Sequence, residues 1–282
     1  MTKQFVYIIC CVFFLIPPAL TAQDAEETKS PWIHSWNFNL NGSQASYSNW
    51  SQGGVSSIAG AASTIFDSKY TNEEFANTSR INLKFGQTRL NGDDVRKTDD
   101  LIRLTNKTNY FLKNKKYSAF VDIEFRTQFA KGFDDDYEEV ISKFMAPGYI
   151  TESAGLSYKP ADYFSIQLGL GLKQTVVADT SLSTLYGVNE GDKIRGEGGL
   201  TIALGMEKNI AENIIYSGEL STFTSFVSAV SSTDVNFTNE ISGKINGYLS
   251  TNLQFVLLFD DDVNEKLQVK QVLAVGLNFT IL

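Results

Sequence analysis

In Lys270-Gln271-Val272-Leu273-Ala274-Val275-Gly276-Leu277-Asn278-Phe279-Thr280-Ile281-Leu282, the odd positions from Leu273 onward are Leu, Val, Leu, Phe and Ile. The even positions include Ala274, Gly276, Asn278 and Thr280. A β-strand turns successive side chains to opposite faces, so this segment has one unbroken apolar face and one small or polar face. The apolar face continues to Leu282 with no polar tail. Such a strand belongs to a sheet with oil on one side.

The same alternation recurs upstream. Trp32, His34, Trp36, Phe38 and Leu40 share a face against Ser35, Asn37, Asn39 and Asn41. Segment 55–66 is a weaker strand of ambiguous facing. Segment 75–87 sets Ile81, Leu83 and Phe85 against Arg80, Asn82 and Lys84, and 100–112 sets Ile102, Leu104 and Tyr110 against Arg103, Thr105 and Lys107. In 117–129, Ala119, Val121, Ile123, Phe125 and Phe129 oppose Asp122, Glu124, Arg126 and Gln128. Segment 150–159 is weaker and carries Glu152 on the apolar side, whereas 164–173 is the cleanest, with Phe164, Ile166, Leu168, Leu170 and Leu172 on one face. Strands at 199–207, 214–226, 235–246 and 249–259 precede the last one. The total is about twelve, an even number, as single-chain bacterial barrels have.

Connections test this reading independently, because membrane barrels alternate short periplasmic turns with longer outer loops. Short links are expected at 67–74, 113–116, 160–162, 208–213 and 246–248, and mostly longer ones at 41–54, 88–99, 130–148, 178–198, 227–234 and 260–266. With both termini periplasmic, every short link falls on one side. Tyr70, Tyr110, Tyr117, Tyr158, Tyr163, Tyr216 and Tyr248 lie beside those links, as an interfacial aromatic girdle requires. Beyond the first 22 residues the prolines are Pro31, Pro147 and Pro160, all outside the expected strands. At Asn246-Gly247 a three-residue turn that includes Tyr248 keeps Ile245 opposite Leu249, both outward, whereas a two-residue turn sends Ser250, Asn252 and Gln254 into lipid. The expected fold is all-β: a transmembrane, antiparallel up-and-down barrel over residues 32–282.

Residues 1–22 read as a secretory signal, with Lys3, an apolar core from 5 to 16, and Leu20-Thr21-Ala22 before a cleavage point at Gln23. Residues 23–31 form a short periplasmic lead. Cys10 and Cys11 both lie in the signal, so the mature chain has no thiol, disulfide or zinc-thiolate site. Removing Lys3 leaves 23 basic against 32 acidic residues, a net charge of −9 that excludes nucleic acid as a partner class. After the signal no apolar run reaches the roughly 18 residues a membrane helix needs. A spanning role then requires a closed sheet.

The candidate functional residues are mostly charges on the inner face. If 113–116 is a tight turn, Lys107 stands opposite Asp122 and Thr105 opposite Glu124, with Arg103 and Arg126 beside them. This ladder either lines a charge-sorting constriction or braces the barrel as an ion-pair network, and bracing is the commoner use of such charges. Inward Gly155, Gly169, Gly171 and Gly205 either make room for a solute or let strands bend and pack closely. Two acidic stretches, Asp134-Asp135-Asp136-Tyr137-Glu138-Glu139 and Asp260-Asp261-Asp262-Val263-Asn264-Glu265, offer oxygen ligands for a cation at Asp134, Asp135, Asp136, Asp260 and Asp262. Solvated loops are the commoner reason for such acidic runs and the favoured reading here, and no cofactor is implied. The single histidine, His34, sits at the presumed periplasmic end of its strand, away from where outer-membrane hydrolases work. No catalytic set is assembled.

Gly276, Phe279 and Ile281, followed by Leu282, resemble the C-terminal insertion signal of bacterial outer-membrane barrels, although Leu282 stands where an aromatic is usual. That resemblance implies recognition by the barrel assembly machinery. Four further pieces, Asn49-Trp50-Ser51-Gln52-Gly53-Gly54, Lys97-Thr98-Asp99-Asp100, Thr127-Gln128-Phe129-Ala130-Lys131-Gly132-Phe133-Asp134 and Ile141-Ser142-Lys143-Phe144-Met145-Ala146-Pro147-Gly148-Tyr149, resemble an uncharacterised family of outer-membrane β-barrels typical of the Bacteroidetes. The resemblance implies location and fold, in contact with lipid and lipopolysaccharide, and no substrate. The expected function is a narrow passive channel for small solutes. The alternatives are a closed barrel serving as a structural or interaction component, with contact loops around Trp50 and Phe144, and an outer-membrane enzyme.

Overall fold

The computed structural model describes residues 30–46, 56–90, 95–134, 136 and 138–282. The expected signal, most of the expected lead, Trp50 with its motif and Asp135 lie outside the described residues. The strands in chain order are β1 (Trp32–Ala45), β2 (Ser57–Thr71), β3 (Phe75–Leu90), β4 (Arg96–Phe111), β5 (Tyr117–Thr127), β6 (Gly132–Phe133), β7 (Val140–Ser142), β8 (Gly148–Ala161), β9 (Phe164–Val176), β10 (Ile194–Ala211), β11 (Ile214–Ser225), β12 (Asp234–Lys244), β13 (Leu249–Asp260) and β14 (Asn264–Thr280). Twelve of them close an antiparallel barrel in simple meander order, and β6 with β7 makes a small hairpin inside the β5–β8 loop. Closure removes the edges that an open sheet of this length would expose.

The seam is the pair β1–β14, where Phe38 faces Phe279 and Asn41 faces Gly276. A Cβ on Gly276 would collide with the Asn41 side chain and the Leu40 carbonyl, so glycine is what lets the two ends of the chain meet. Past β14, Ile281 donates to the Trp36 carbonyl at 2.7 Å, and the Leu282 carbonyl accepts from Trp36 at 3.2 Å. Every residue of the supposed insertion signal therefore also builds the closure.

The outer face is apolar. Leu168, Leu170 and Leu172 of β9 are 53%, 61% and 53% exposed, because they point away from the barrel with nothing over them. At the short-turn end an aromatic ring system follows: Trp32 against Tyr70, Tyr70 against Phe75, Tyr117 stacked on Tyr158 at 4.8 Å, and Tyr163 beneath Lys208. His34 stacks between Trp32 and Phe66 on this outward face. No helix among the described residues is long and apolar enough to cross a membrane, which says nothing about spanning by strands.

Several expected boundaries move. β2 continues through Thr71, so the link expected at 67–74 shrinks to 72–74; Asp67 stays in the strand because Arg80 of β3 binds it bidentately at 2.6 and 2.8 Å inside the barrel. β14 begins at Asn264, and the expected loop at 260–266 is a tight turn, so sorting of loop lengths between the two ends is incomplete. Pro160 lies within β8, at a register shift between Tyr158 and Ala161 where the ladder is already broken. The turn after β12 follows expectation, with Ile245 donating to the Leu249 carbonyl at 2.9 Å.

The outward face also has a feature that the alternation did not reveal. Asn77 and Ser79 of β3 and Asn106 and Thr108 of β4 point outward between Ile81–Leu104 and Phe75–Tyr110. They satisfy one another: Asn77 donates to Thr108 at 2.8 Å and Asn106 to Ser79 at 2.8 Å. A polar patch can persist on an apolar face when its groups pair internally.

Candidate functional site: the barrel interior and its loop cap

With the apolar side chains turned outward, the interior is polar. The expected register is present: Thr105 faces Glu124, Lys107 faces Asp122 and Arg103 faces Arg126. Arg103 grips Glu124 with two nitrogens, at 2.9 and 2.7 Å. It also reaches Glu219 of β11 at 3.4 Å, and Lys107 reaches the same carboxylate at 3.5 Å. Between β4 and β11 lie β5, β8, β9 and β10 on one side and the other six strands on the other, so this contact crosses the lumen. Two more ion-pair groups also join strands that are not neighbours: Lys173 of β9 with Asp234 of β12 at 2.5 Å and Asp260 of β13 at 3.0 Å, and Lys270 of β14 with Asp99 of β4 at 3.0 Å.

Two members of the ladder stand apart. Among the described residues Asp122 has no ion-pair partner, and its Oδ1 is buried without a hydrogen-bond partner; Lys107, opposite it, turns to Glu219 instead. Arg126 likewise has no ion-pair partner among the described residues and lies over the Tyr149 ring at 4.9 Å. The Gln128 Nε2 is a second buried atom of this wall without a hydrogen-bond partner among the described residues. All three side chains line a cavity of about 490 Å³ that extends from Phe120 up to Pro147 and Tyr186 of the loops.

Phe120 accounts for part of the inward glycine set, at Gly155 and Gly169. It faces Gly155, which faces Gly169, so the ring lies across two positions without side chains and is only 3% exposed. A Cβ on Gly169 would come within 2.8 Å of Phe120 Cζ and 2.6 Å of the Ala154 carbonyl. Phe120 fills the space at Gly169, and Gly155 lets β8 approach the Leu168–Gly169 backbone of β9, so neither position is left for a solute. Phe120 was missed because the apolar residues of β5 were read on the odd face alone.

Above the cavity, the β5–β8 and β9–β10 loops pack into a cap. Asp100 accepts from the backbone of Phe129 at 2.7 Å and Ala130 at 2.9 Å, and Lys97 binds Asp100 and the Ala130 carbonyl. Two of the quoted motifs are thus the halves of one clamp. The third is held by Thr127, whose hydroxyl accepts from Met145 N and donates to the Pro147 carbonyl. Ala146, Val177, Leu182 and Val188 form a buried apolar cluster, flanked by Tyr186 on the short 3-10 helix Thr180–Tyr186. Burial pushes the Tyr186 phenol up to about 12, and its hydroxyl donates to the Ile141 carbonyl at 2.7 Å. Lys143 pairs with Asp179 and, with Ser181, holds that carboxyl down to about 2.

The acidic stretches are not gathered around one point. Asp134 Oδ1 accepts from the backbone of Glu138 and Glu139, and Asp136 is exposed. Asp260 and Asp234 hold the Lys173 ammonium, and Asp262 holds Arg195 at 2.6 Å. Asp234, Asp260 and Asp261 lie close enough to share an ion, but Lys173 already sits between two of them. Glu219, Lys173 and Asp234 were absent from the expected ladder because their partners are far along the chain; the one available hint was an acidic residue in a strand of ambiguous facing.

A family described as "Protein of unknown function (DUF3078)" matches residues 42–133, less than half of the chain. No curated protein matches. Among solved structures, the chain is similar to an outer membrane channel from Pseudomonas putida F1 (9% identity, 93% of this chain and 98% of that one, TM-score 0.43). It is also similar to the KdgM porin (8%, 86% and 98%, 0.37) and to the translocator domain of the autotransporter NalP from Neisseria meningitidis (9%, 88% and 87%, 0.35). Likeness at this level is one of barrel architecture and carries nothing about cargo.

Proposed function

We propose that the barrel spans the outer membrane, with both chain ends on the periplasmic side, and serves as a narrow passive channel for small solutes. The observation that carries this reading is a cavity of about 490 Å³, lined by charged side chains of facing strands, inside a closed barrel whose outer face is apolar and ringed by aromatics. Across it lies the group Arg103, Glu124, Lys107 and Glu219, where charges from opposite walls meet. Lipid and lipopolysaccharide contact the belt, and the barrel assembly machinery takes up the C-terminal strand. Deleting Phe279 to Leu282 removes the last pairings to β1 and is expected to stop assembly; a truncated barrel that still reaches the membrane folded refutes that part.

The Arg103–Glu219 contact also favours a second reading, a braced and closed barrel that acts through its loops. Planar-bilayer recording separates the two. A channel conducts, and Glu219→Gln widens or rebalances the constriction and changes the current. Silence from both the native barrel and Glu219→Gln, with no solute flux in liposomes, rejects the channel and leaves the braced barrel.

A further inference from the structure

Among the described residues, the cavity wall holds one carboxylate with no ion-pair partner, Asp122, and one guanidinium with none, Arg126, both on β5. Glu124, between them, is taken by Arg103, and Lys107 is drawn to Glu219. That leaves Asp122 with a buried, unpartnered Oδ1 toward the floor, and Arg126 on Tyr149 toward the cap with the unpartnered Gln128 Nε2 two residues on. Unpaired charges and orphaned donors or acceptors inside a protein are costly, and a ligand of complementary groups removes that cost.

We propose that this wall is a binding site for a short zwitterionic peptide of two or three residues. Its carboxylate is taken by Arg126 and Gln128, and its ammonium by Asp122. The proposal rests on the channel reading for the peptide's route, but not for its binding. Asp122 and Arg126 are four residues apart on one face of a strand, so their Cα atoms are about 13 Å apart. An extended tripeptide spans roughly 10 Å, which matches once both side chains lean into the lumen. A guanidinium whose carbon lies over an aromatic ring can still turn its N–H groups to a carboxylate for two parallel hydrogen bonds. Opposite charges at the two ends also fix the peptide's direction, with its amino end toward the short-turn end.

Titration calorimetry on the purified full barrel in detergent, with trialanine, N-acetyl-trialanine and trialanine amide, tests this. Trialanine is expected to bind, and each blocked form to bind roughly tenfold more weakly, the effect of losing one hydrogen bond between charged groups. Asp122→Asn is expected to abolish the preference for the free amine, and Arg126→Gln the preference for the free carboxylate. Equal binding of all three peptides, or none, overturns the site without any variant being needed. If Asp122→Asn folds, judged by its heat-dependent gel shift, and still prefers the free amine, the ammonium goes elsewhere and the assignment fails. Conductance is measured separately: binding without current rejects the channel and keeps the site, whereas current without peptide discrimination does the reverse.

Discussion

Ala146, Val177, Leu182 and Val188 close the loop cap as buried apolar side chains, whereas Arg103, Lys107 and Lys173 organise the barrel interior below through carboxylates on other strands. The difference follows from what surrounds each region. A barrel in lipid turns its apolar residues outward, so its inside must be ordered by hydrogen bonds and charge. The cap has water around it and folds as a small soluble protein does, with its oil inside. One chain therefore uses opposite patterning rules within a few residues, and the change occurs near Thr127, Pro147 and Val177.

The exception inside the barrel, Phe120 over Gly155 and Gly169, should give the largest effect. Gly169→Val drives atoms into the Phe120 ring and the Ala154 backbone, and overpacking of this kind costs about 1–3 kcal/mol or more. The expected result is loss of the heat-resistant folded band, with partial rescue by Phe120→Ala; a normal band without rescue would show that the ring and the glycines do not depend on each other. Leu182→Ala in the cap should cost about 2 kcal/mol locally, the low end for a small cluster. Proteolysis should then cut the cap while the barrel band stays intact; equal loosening of both would erase the distinction between the regions. Glu219→Gln should cost only about 1 kcal/mol of barrel stability, since its side chain is 36% exposed to the lumen and screened there. Its main readout is the current described above.

The smallest expected effect is the pH response of the cap. The Asp179 carboxyl is held down to about 2 by Lys143, so the ion pair is fully present above the ordinary carboxylate range and is lost as pH falls from about 4 toward 2. Hydrogen exchange in residues 141–147 and 178–186 should rise across that window in the native protein. Asp179→Asn should show the faster exchange already at neutral pH. An unchanged pH profile in the variant would assign the loosening to another group.

Much of the barrel was legible because its physics is local. Period-2 alternation needs only neighbouring residues, and Lys107 opposite Asp122 or Ile245 opposite Leu249 follows from the length of one turn. The outward polar patch was not legible, since Asn77, Ser79, Asn106 and Thr108 look like defects on single strands and become a satisfied group only side by side. Cap residues such as Ala146 and Leu182 carried no periodic signal at all, because irregular loops have none.

By itself, then, the amino-acid order determined the strands, which face of each is apolar, and the meander that joins them, since these depend on near neighbours. Only the tertiary structure decided which charges meet. Glu219 finds Arg103 from 116 residues away, and Lys173 finds Asp234 and Asp260, because closing the barrel brings distant strands face to face across a narrow lumen. The same closure left Asp122 and Arg126 without ionic partners among the described residues, and no pairing rule along the chain could have singled them out.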